Sequence, residues 1–400
     1  MVLQFEWLYE VFRYFSYIVA IHWGIISCYT IVGIVGFLLY NHTKKSLVEE
    51  QNVELCIVSK ASEDVEEQLF YNIAWYHSKM FPEYRINIIV DDGCHSLLRL
   101  KAVAEENKSL SLIVVPKSYK IRAIAKGRAM QYFIETSIDD DRWYVFIDDD
   151  NRILDRKFLK EIPYYNARGY GAGNGILMPR SSGNNITFVA DHLRYSDDIT
   201  LFRFCSGLCK TPLNGFHGEL LISKGRNLRE ISFDRKTVTE DFSYARELTK
   251  RKIKIWQSAT KTSIFSPVSV RDFLKQRNRW YRGISRDVLH SNWKMKLFVG
   301  IRVIDWKIGI IGSWFIFPLW FFMPIPLWLI AFNLIGSFYY YISYVYGVSK
   351  LKSPLEYLTG IVCIPLYSIM ETLSPWIKTK GFNVIDKNGK NGAKSGIRYL

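Results

Sequence analysis

An uncharged stretch near the amino terminus is long enough to cross a bilayer. No Asp, Glu, Lys or Arg occurs between Arg13 and Lys44. At about 1.5 Å per residue, this stretch exceeds the roughly 30 Å hydrocarbon core of a membrane. Lys44 and Lys45 follow at once, and basic residues favour the cytosolic side. The pattern predicts a transmembrane helix within residues 1–46, followed by cytosolic chain.

A second uncharged stretch lies in the last quarter of the chain and is about twice as long as one span needs to be. It runs from residue 308 to residue 349. Pro324 and Pro326 lie near its middle, where a turn is expected. The stretch therefore predicts a transmembrane helical hairpin over 306–350.

The next apolar run, Tyr357–Met370, is too short for a typical span. It predicts an interfacial or re-entrant segment within 351–377, and a fourth transmembrane helix is the alternative. The tail over 378–400 is rich in lysine and predicts a cytosolic carboxyl terminus. Together the apolar stretches predict a multi-pass membrane protein whose middle region is cytosolic.

Between the apolar stretches, short β-rich runs alternate with segments of helical periodicity. The predicted strands are VELCIVS, YRINIIV, SLIVV and WYVFI, and the predicted helices are EEQLFYNIAWYHSKMF, SLLRLKAVAEEN and AIAKGRAMQYFIETS. This alternation predicts an α/β domain over 47–265, built on a mostly parallel sheet with helices on both faces. Ligands of such sheets bind beyond the carboxyl ends of the strands, so the residues that follow each strand are candidate site residues.

Composition agrees with a water-soluble domain joined to membrane segments, since 49% of the 400 residues are hydrophobic and 23% are charged. The formal net charge of +15 fits basic residues facing anionic lipid, or an anionic substrate such as a nucleoside diphosphate. No nucleic-acid-binding motif accompanies this charge, which argues against a nucleic-acid partner. The six cysteines form no CxxC pair, which favours ordinary thiols in a reducing compartment.

Two acidic clusters follow predicted strands. YRINIIV ends in Asp91 and Asp92, and WYVFI ends in Asp148, Asp149 and Asp150. Asp148 and Asp150 are two residues apart, so their carboxylates can converge on Mg²⁺ or Mn²⁺ and leave coordination positions for phosphate. Asp91 or Asp92 would accept hydrogen bonds from a nucleobase or ribose. For either cluster alone, a solvated turn is the alternative.

A third acidic cluster begins an amphipathic helix in TVTEDFSYARELTKRK, where Glu240 and Asp241 follow Thr239. Acids in a first turn often only complement the helix dipole. A carboxylate in such a position can also act as a general base that deprotonates an attacking hydroxyl. Asp241, with Glu240 beside it, is the candidate for that role.

A basic segment, VRDFLKQRNRWYRG, places Gln276, Arg277, Arg279 and Trp280 within about one helical turn. Arg binds phosphate in a bidentate manner, and the face of a Trp ring can stack on a sugar. Such residues can bind a phosphate group and a sugar ring. The alternative is a basic amphipathic helix lying on the membrane, and 266–305 is predicted to consist of such interface helices.

The order of these motifs resembles the inverting family-two glycosyltransferases, which have a GT-A fold. The motifs are a DD at a strand end, a DxD, a TED and Q-R-x-R-W, and the resemblance covers nearly the whole chain. It implies a nucleotide-sugar donor, Mn²⁺ or Mg²⁺ on Asp148 and Asp150, and a departing diphosphate stabilised by Arg277 or Arg279. KGRAM also resembles the K-A-G-A-L-N stretch of that family, which implies donor binding by Lys126 and Arg128.

Further segments resemble the egghead-type β-1,4-mannosyltransferases within this family. They are YSDDITLFRF, GFHGELLISKG, ISFD, VTED and SPVSVRDFLKQRNRW. The resemblance implies transfer of mannose from GDP-mannose to a lipid-linked or glycan acceptor, with His217, Gly218 and Glu219 near that acceptor. Two alternatives stay open. One is a processive polysaccharide synthase that uses UDP-glucose or UDP-N-acetylglucosamine, and the other is an inactive membrane scaffold.

The tail segment GFNVIDKNG resembles the F-x-V-T-x-K gating loop of cellulose synthases. Phe382, Val384 and Lys387 match that pattern, and Ile385 stands where Thr is expected. The resemblance implies a loop that closes over the bound donor. A basic tail held near anionic lipid is the alternative.

Overall fold

The computed structural model describes residues 2–40, 43–322 and 326–378. Its centre is a mixed eight-stranded sheet with the spatial order β3-β2-β1-β4-β7-β6-β8-β5. The strands are β1 (Val53–Val58), β2 (Arg85–Asp91), β3 (Leu110–Val115), β4 (Trp143–Asp148), β5 (Arg152–Ile153), β6 (Tyr170–Arg180), β7 (Leu221–Lys224) and β8 (Lys254–Phe265).

The first four strands form a parallel unit, as the sequence predicts. All six residues of β1 are buried, because helices cover both faces of this half of the sheet. Alternate residues of β1 pack into two different cores, with Leu55 and Ile57 on one face and Cys56 and Val58 on the other.

The second half of the sheet has mixed direction. Strand β7 pairs antiparallel with both β4 and β6, β8 is parallel to β6, and the short β5 is antiparallel to β8. Six of these eight strands therefore run one way, and the mixed, mostly parallel sheet of the prediction is confirmed.

Thirteen α-helices lie in the described part of the chain. They are α1 (Val2–Leu39), α2 (Glu66–Trp75), α3 (Leu97–Glu106), α4 (Ala125–Ser137), α5 (Lys157–Asn166), α6 (Asn185–Asp197), α7 (Gly225–Glu230), α8 (Glu240–Lys250), α9 (Val270–Val288), α10 (Trp293–Phe322), α11 (Leu327–Val348), α12 (Pro354–Val362) and α13 (Ile364–Leu373). Two π-helical segments, Tyr76–Met80 and Asp198–Leu208, continue α2 and α6 without a break.

Helix α1 packs against the π-helical segment Asp198–Leu208 and against α10 and α11. Within the described residues, one helix is long and apolar enough to cross a membrane, and it covers Arg13–Leu39. The bent pair Pro354–Val362 and Ile364–Trp376, which meets at 53°, would make a second. Over their described residues, α10 and α11 do not meet the same criterion, so the hairpin over 306–350 stays a prediction.

Candidate active site

The carboxyl ends of the parallel strands meet at one edge of the sheet. Pairing places Val58 beside Asp148 and Asp91 beside Val115. A cavity of about 550 Å³, called the central cavity below, lies at this edge. It is lined by most of the predicted site residues: Asp91, Lys126, Asp148, Asp149, Asp150, His217, Gly218, Glu219, Glu240, Asp241, Gln276, Arg277, Arg279 and Trp280.

Asp92 and Arg128 do not line the central cavity. They lie in a neighbouring depression, which Asp91 shares. Arg128 forms an ion pair with Asp91 and donates hydrogen bonds to the carbonyl oxygens of Tyr119 at 2.9 Å and Pro116 at 2.6 Å. Arg128 thus fixes the loop after β3 to the end of β2.

The three aspartates after β4 have different surroundings. Asp149 is buried and accepts a hydrogen bond of 2.6 Å from the Ser59 hydroxyl at the end of β1. Asp150 is also buried, and its carbonyl oxygen accepts a hydrogen bond from Arg180. The side chain of Asp148 is 29% exposed, which makes it the most accessible of the three carboxylates to a ligand.

Lys126 joins two of the predicted motifs. Its Nζ donates hydrogen bonds to Asp148 Oδ1 at 2.5 Å and to the Gly218 carbonyl at 2.8 Å. Burial opposes the charge of Lys126, but the carboxylates of Asp148 and Glu240 outweigh it and raise the lysine pKa well above its ordinary value. Helix α4 begins just before it, at Ala125, whose φ of 47° lies in the left-handed region that non-glycine residues rarely adopt.

The TED motif begins α8, and Thr239, together with Thr237 just before the motif, anchors it to α9. The hydroxyls of Thr237 and Thr239 donate to one oxygen of Asp287, at 2.5 and 3.0 Å. Burial, with Asp241 as the next cause, raises the pKa of Glu240 from 4.5 to about 7.

Asp241 lies beside the HGE residues. Its Oδ2 accepts a hydrogen bond of 3.1 Å from the backbone N–H of Gly218. Burial, and then the charge of Glu219, raise the pKa of Asp241 above its ordinary value. The carboxylate is therefore a stronger base than an exposed aspartate.

The HGE residues form a buried charged network. His217 Nε2 lies 2.5 Å from Asp198 Oδ1, and Asp198 also accepts from the backbone N–H of Leu177. Glu219 pairs with Arg194. Burial alone would raise the pKa of Glu219, but Arg194 outweighs it and lowers that pKa to about 2.

Arg277 of the Q-R-x-R-W segment is fully engaged by protein groups. It is 2% exposed and donates to Glu371 Oε1 at 2.9 Å, to Asp191 Oδ1 at 2.7 Å and to Gln276 Oε1 at 2.8 Å. These contacts join α9 to α6 and α13, which makes Arg277 a structural tie. Arg279, two residues further, is half-buried and lines the cavity.

The ring of Trp280 forms cation–π contacts with two arginines. The guanidinium carbons of Arg194 and Arg277 lie 4.7 and 4.4 Å from the ring centroid. Such contacts stabilise both partners and cover part of the aromatic surface. The ring therefore does not present two open faces to a sugar.

Sequence reasoning missed several residues of this site. Ser59 follows β1 directly, and the strand-end rule identifies it once applied to every strand. Arg194 and Asp198 lie where α6 passes into a π-helical segment, and no motif marks their partners. The predicted gating residues Phe382, Val384 and Lys387 lie outside the described residues.

The carboxylates of the DxD cluster could supply some of the ligands of a hard divalent cation. Asp148 and Asp150 offer carboxylate oxygens, which Mg²⁺ and Mn²⁺ prefer. Among the residues described, no group of three or more His, Cys, Asp or Glu side chains could hold a metal ion. Two carboxylates alone leave most coordination positions to other ligands.

Comparison with known proteins identifies the family to which this chain belongs. The model of glycosyl transferase family group 2 matches residues 143–346, just over half of the chain. The chain belongs to this family. It is therefore a glycosyltransferase, and the resemblance inferred from the motif order is confirmed.

Two curated relatives are similar over most of the chain. β-1,4-mannosyltransferase egh of Drosophila melanogaster is 29% identical over 324 residues, which covers 72% of this chain and 69% of the relative. β-1,4-mannosyltransferase bre-3 of Caenorhabditis elegans is 24% identical over 299 residues, which covers 70% of this chain and 64% of the relative. The chain thus matches about two thirds of the length of these relatives.

One solved structure supports the fold. The mannosyltransferase PcManGT from Pyrobaculum calidifontis, in complex with GDP-Man and Mn²⁺, aligns with a TM-score of 0.51 at 11% identity. The alignment covers 90% of this chain and 99% of that one. The mixed sheet of this glycosyltransferase is therefore of the GT-A kind.

Proposed function

We propose that this glycosyltransferase transfers mannose from GDP-mannose to a hydroxyl of a lipid-linked or glycan acceptor and forms a β linkage with inversion. One observation carries the proposal: Asp241 lines a single cavity together with the DxD cluster and the HGE residues. The β-1,4-mannosyltransferase relatives support mannose as the sugar.

The donor diphosphate is bound by Asp148, Lys126 and Arg279, which all line the cavity. Lys126 keeps its positive charge at neutral pH, so it offsets the negative charge that develops on the departing diphosphate. Arg279, which lines the cavity, offers the planar guanidinium that suits phosphate.

Asp148 and Asp150 would hold a divalent cation, Mn²⁺ or Mg²⁺. When bound, it would neutralise diphosphate charge. The remainder of the donor side is built from the chain's own groups. Asp91, at the end of β2, lies at the same edge and accepts a hydrogen bond from the nucleoside.

The acceptor hydroxyl lies against Asp241, which removes its proton as the oxygen attacks the anomeric carbon. The hydrogen bond from Gly218 N–H fixes the direction of this carboxylate. Glu240 interacts with the charges of Lys126 and Asp148 and serves the donor side. Trp280, held by two arginines, and the HGE residues form the surface that receives the acceptor sugar.

The domain organisation follows from the same proposal. Residues 47–265 form a cytosolic GT-A domain, 266–305 lie at the membrane interface, and 1–46 and 306–350 span the membrane. The bend of 53° between α12 and the helical run Ile364–Trp376 supports an interfacial or re-entrant segment over 351–377.

A panel of nucleotide sugars tests the proposed function. Purified full-length protein is incubated with GDP-mannose, UDP-glucose or UDP-N-acetylglucosamine, with a β-glucoside acceptor and Mn²⁺. We expect acceptor-dependent release of GDP alone, and loss of transfer in Asp241→Asn with donor binding retained. Release of UDP without GDP would overturn the choice of donor, and full activity of Asp241→Asn would overturn the choice of base.

A further inference from the structure

Helix α5 of the catalytic domain meets the carboxyl-terminal end of α1, whose segment Arg13–Leu39 is long and apolar enough to cross a membrane. Tyr165 of α5 makes both contacts. Its hydroxyl lies 3.1 Å from the hydroxyl of Tyr40, and it accepts a hydrogen bond of 3.3 Å from the backbone N–H of Lys44. The carboxyl-terminal half of α5 therefore lies at the level at which the chain leaves α1.

The chain after α1 is tied to α5 at two further points, and between them it forms a short loop. The N–H of Ser46 donates a hydrogen bond of 2.7 Å to the carbonyl of Lys160, and the N–H four residues later donates one of 2.8 Å to the carbonyl of Leu159. Leu47 and Val48 lie between these anchors and are 96% and 69% exposed. Backbone hydrogen bonds thus hold two adjacent aliphatic side chains in water.

A single exposed aliphatic side chain needs no explanation, because folded proteins expose many of them. This pair differs because it lies among cations. Lys44 and Lys45 precede the loop, Lys160 anchors it, and Arg168 follows α5. None of these four side chains is buried, and none forms an ion pair with another described residue.

The acids of this region do not cancel that charge. Glu49, in the loop, pairs with Arg156 at 2.7 Å. Asp155, before α5, pairs with Lys157 at 3.2 Å. Glu50 is the remaining acid of the loop, so one negative charge stands against four positive ones. This surface is called the basic tip below, and it consists of Lys44, Lys45, Leu47, Val48, Lys160 and Arg168.

The basic tip lies within reach of a headgroup layer. Lys160 and Tyr165 are five residues apart on α5, which corresponds to about 7.5 Å at about 1.5 Å per residue. Headgroups add about 5–8 Å to each side of the hydrocarbon core. In whichever direction α5 leaves α1, Lys160 and the loop that it anchors therefore stay within about one headgroup layer of the end of α1.

We propose that the basic tip docks on the anionic headgroups of the membrane that α1 spans, with Leu47 and Val48 inserted between them. Lysine and arginine are attracted to an anionic leaflet, and aliphatic side chains are stabilised when they leave water for the boundary of the acyl chains. Tyr164, whose ring centroid lies 3.6 Å from the guanidinium carbon of Arg168, suits the same interface because it has an apolar ring and a polar hydroxyl.

The inference rests on the membrane span of α1 in the proposed function and adds a second membrane contact to it. A single helix leaves the catalytic domain free to turn about the helix axis. A second contact, on α5, fixes the orientation of the domain relative to the bilayer.

Photocrosslinking tests this contact in the full chain. p-Benzoylphenylalanine takes the place of Leu47, Leu98 or Ile31, and each protein is reconstituted in nanodiscs of phosphatidylcholine with or without phosphatidylserine, with a trace of alkyne-tagged phospholipid. Leu98, on α3, is 82% exposed and is the matched control, and Ile31, 50% exposed on α1, reports on the span itself. With phosphatidylserine, we expect lipid adducts at positions 47 and 31, and only background at position 98.

Lys160→Gln tests the charge and keeps the loop, because the backbone carbonyl of Lys160, and not its ammonium, accepts the hydrogen bond from Ser46. Loss of one cation near an anionic surface should lower the yield of lipid adducts at position 47 about fivefold. Omission of phosphatidylserine should also lower this yield, whereas Lys101→Gln, at an exposed lysine of α3, should not change it. A yield that responds neither to Lys160→Gln nor to phosphatidylserine would overturn the inference.

The control positions separate the inference from the span on which it rests. Lipid adducts at position 31 but not at position 47 would overturn the inference and leave the span of α1 standing. Adducts of position 47 with a second protein chain in place of lipid would also overturn it. Absence of lipid adducts at position 31 would count against the span and against the inference with it. None of these outcomes depends on sugar transfer, which GDP release measures separately.

Discussion

The ammonium of Lys126 donates a hydrogen bond of 2.5 Å to the carboxylate of Asp148, the most accessible aspartate of the DxD cluster. The same ammonium bonds the Gly218 carbonyl at 2.8 Å, so one side chain joins the donor side of the cavity to the acceptor side. Asp148 is also a proposed ligand of the divalent cation. Lys126 and the divalent cation should therefore compete for the Asp148 carboxylate when no donor is bound.

The variant Lys126→Met tests this competition between the lysine and the cation. Without donor, the affinity for Mn²⁺ should rise about tenfold, because removing a nearby positive charge favours cation binding by on the order of 1 kcal/mol. Turnover should fall, since the lysine charge no longer stabilises the departing diphosphate. Titration of Mn²⁺ followed by electron paramagnetic resonance measures the first effect, and GDP release measures the second. Lys120→Met, at an exposed lysine, should change neither, and weaker Mn²⁺ binding by Lys126→Met would contradict the prediction.

Two arginines of one helix should separate stability from donor binding. Arg277→Ala leaves the buried carboxylates of Asp191 and Glu371 without their shared partner, so we expect a loss of about 3–5 kcal/mol in unfolding free energy. Arg279→Ala should weaken GDP binding, and it should cost less stability because Arg279 is only half-buried. Denaturant unfolding and GDP titration of both variants measure the contrast. A stable Arg277→Ala that has lost only GDP binding would reverse the two roles.

The sequence predicts the first half of the sheet well because its strands are continuous apolar runs. The pattern does not predict β6 and β8, because β6 contains glycines and β8 contains many polar residues. The reason for those glycines is tertiary: a Cβ on Gly173 would lie 2.6 Å from the ring of Trp256, and one on Gly175 would lie 2.2 Å from Leu220. Such close approaches are visible only after the strands have been paired.

The candidate site was predicted as a set of motifs, and the roles within each motif depend on distant residues. Arg277 and Arg279 are equivalent in the sequence pattern. They differ because Arg277 bonds Asp191 and Glu371, which are 86 and 94 residues away from it in the sequence. Arg194 likewise becomes part of the site because it meets Glu219 and Trp280 after folding. Local spacing contains no information on these contacts.

The raised pKa of Glu240 predicts how stability depends on pH. Burial and Asp241 raise this pKa from 4.5 to about 7, so the folded protein holds the proton more tightly than the unfolded chain. Stability is then fully present below about pH 4.5 and falls as the pH rises toward 7. Glu240→Gln cannot ionise, so it should be more stable than the parent at pH 8 by on the order of 2 kcal/mol, with no gain near pH 4.5.

Thermal unfolding of Glu240→Gln and the parent across pH 4.5–8 measures this difference. Glu63→Gln, at an exposed glutamate, should follow the parent at every pH. A stability gain for Glu240→Gln that is the same at pH 4.5 and pH 8 would exclude ionisation as its cause.

Alanine substitutions at two helix glycines, Gly36 in α1 and Gly300 in α10, should change the stability of the protein in opposite directions. A Cβ on Gly36 would lie 2.4 Å from the Thr200 carbonyl oxygen and 2.7 Å from the Phe204 nitrogen, and both are backbone atoms. A Cβ on Gly300, in α10, would have nothing within 4 Å. In a helix, alanine is more favourable than glycine by about 1 kcal/mol when nothing obstructs it.

Gly300→Ala should therefore raise the midpoint of thermal unfolding slightly. Gly36→Ala should lower the free energy of unfolding by about 1–3 kcal/mol, because backbone atoms cannot move aside as a side chain can. The effect of Gly36→Ala should also reach the cavity. Thr200 and Phe204 belong to the π-helical segment that begins at Asp198, and Asp198 holds His217 by a 2.5 Å contact. Displacing this segment should raise the KM for the acceptor more than the KM for GDP-mannose. Equal stabilisation by both substitutions would mean that α1 does not pack closely on the catalytic domain.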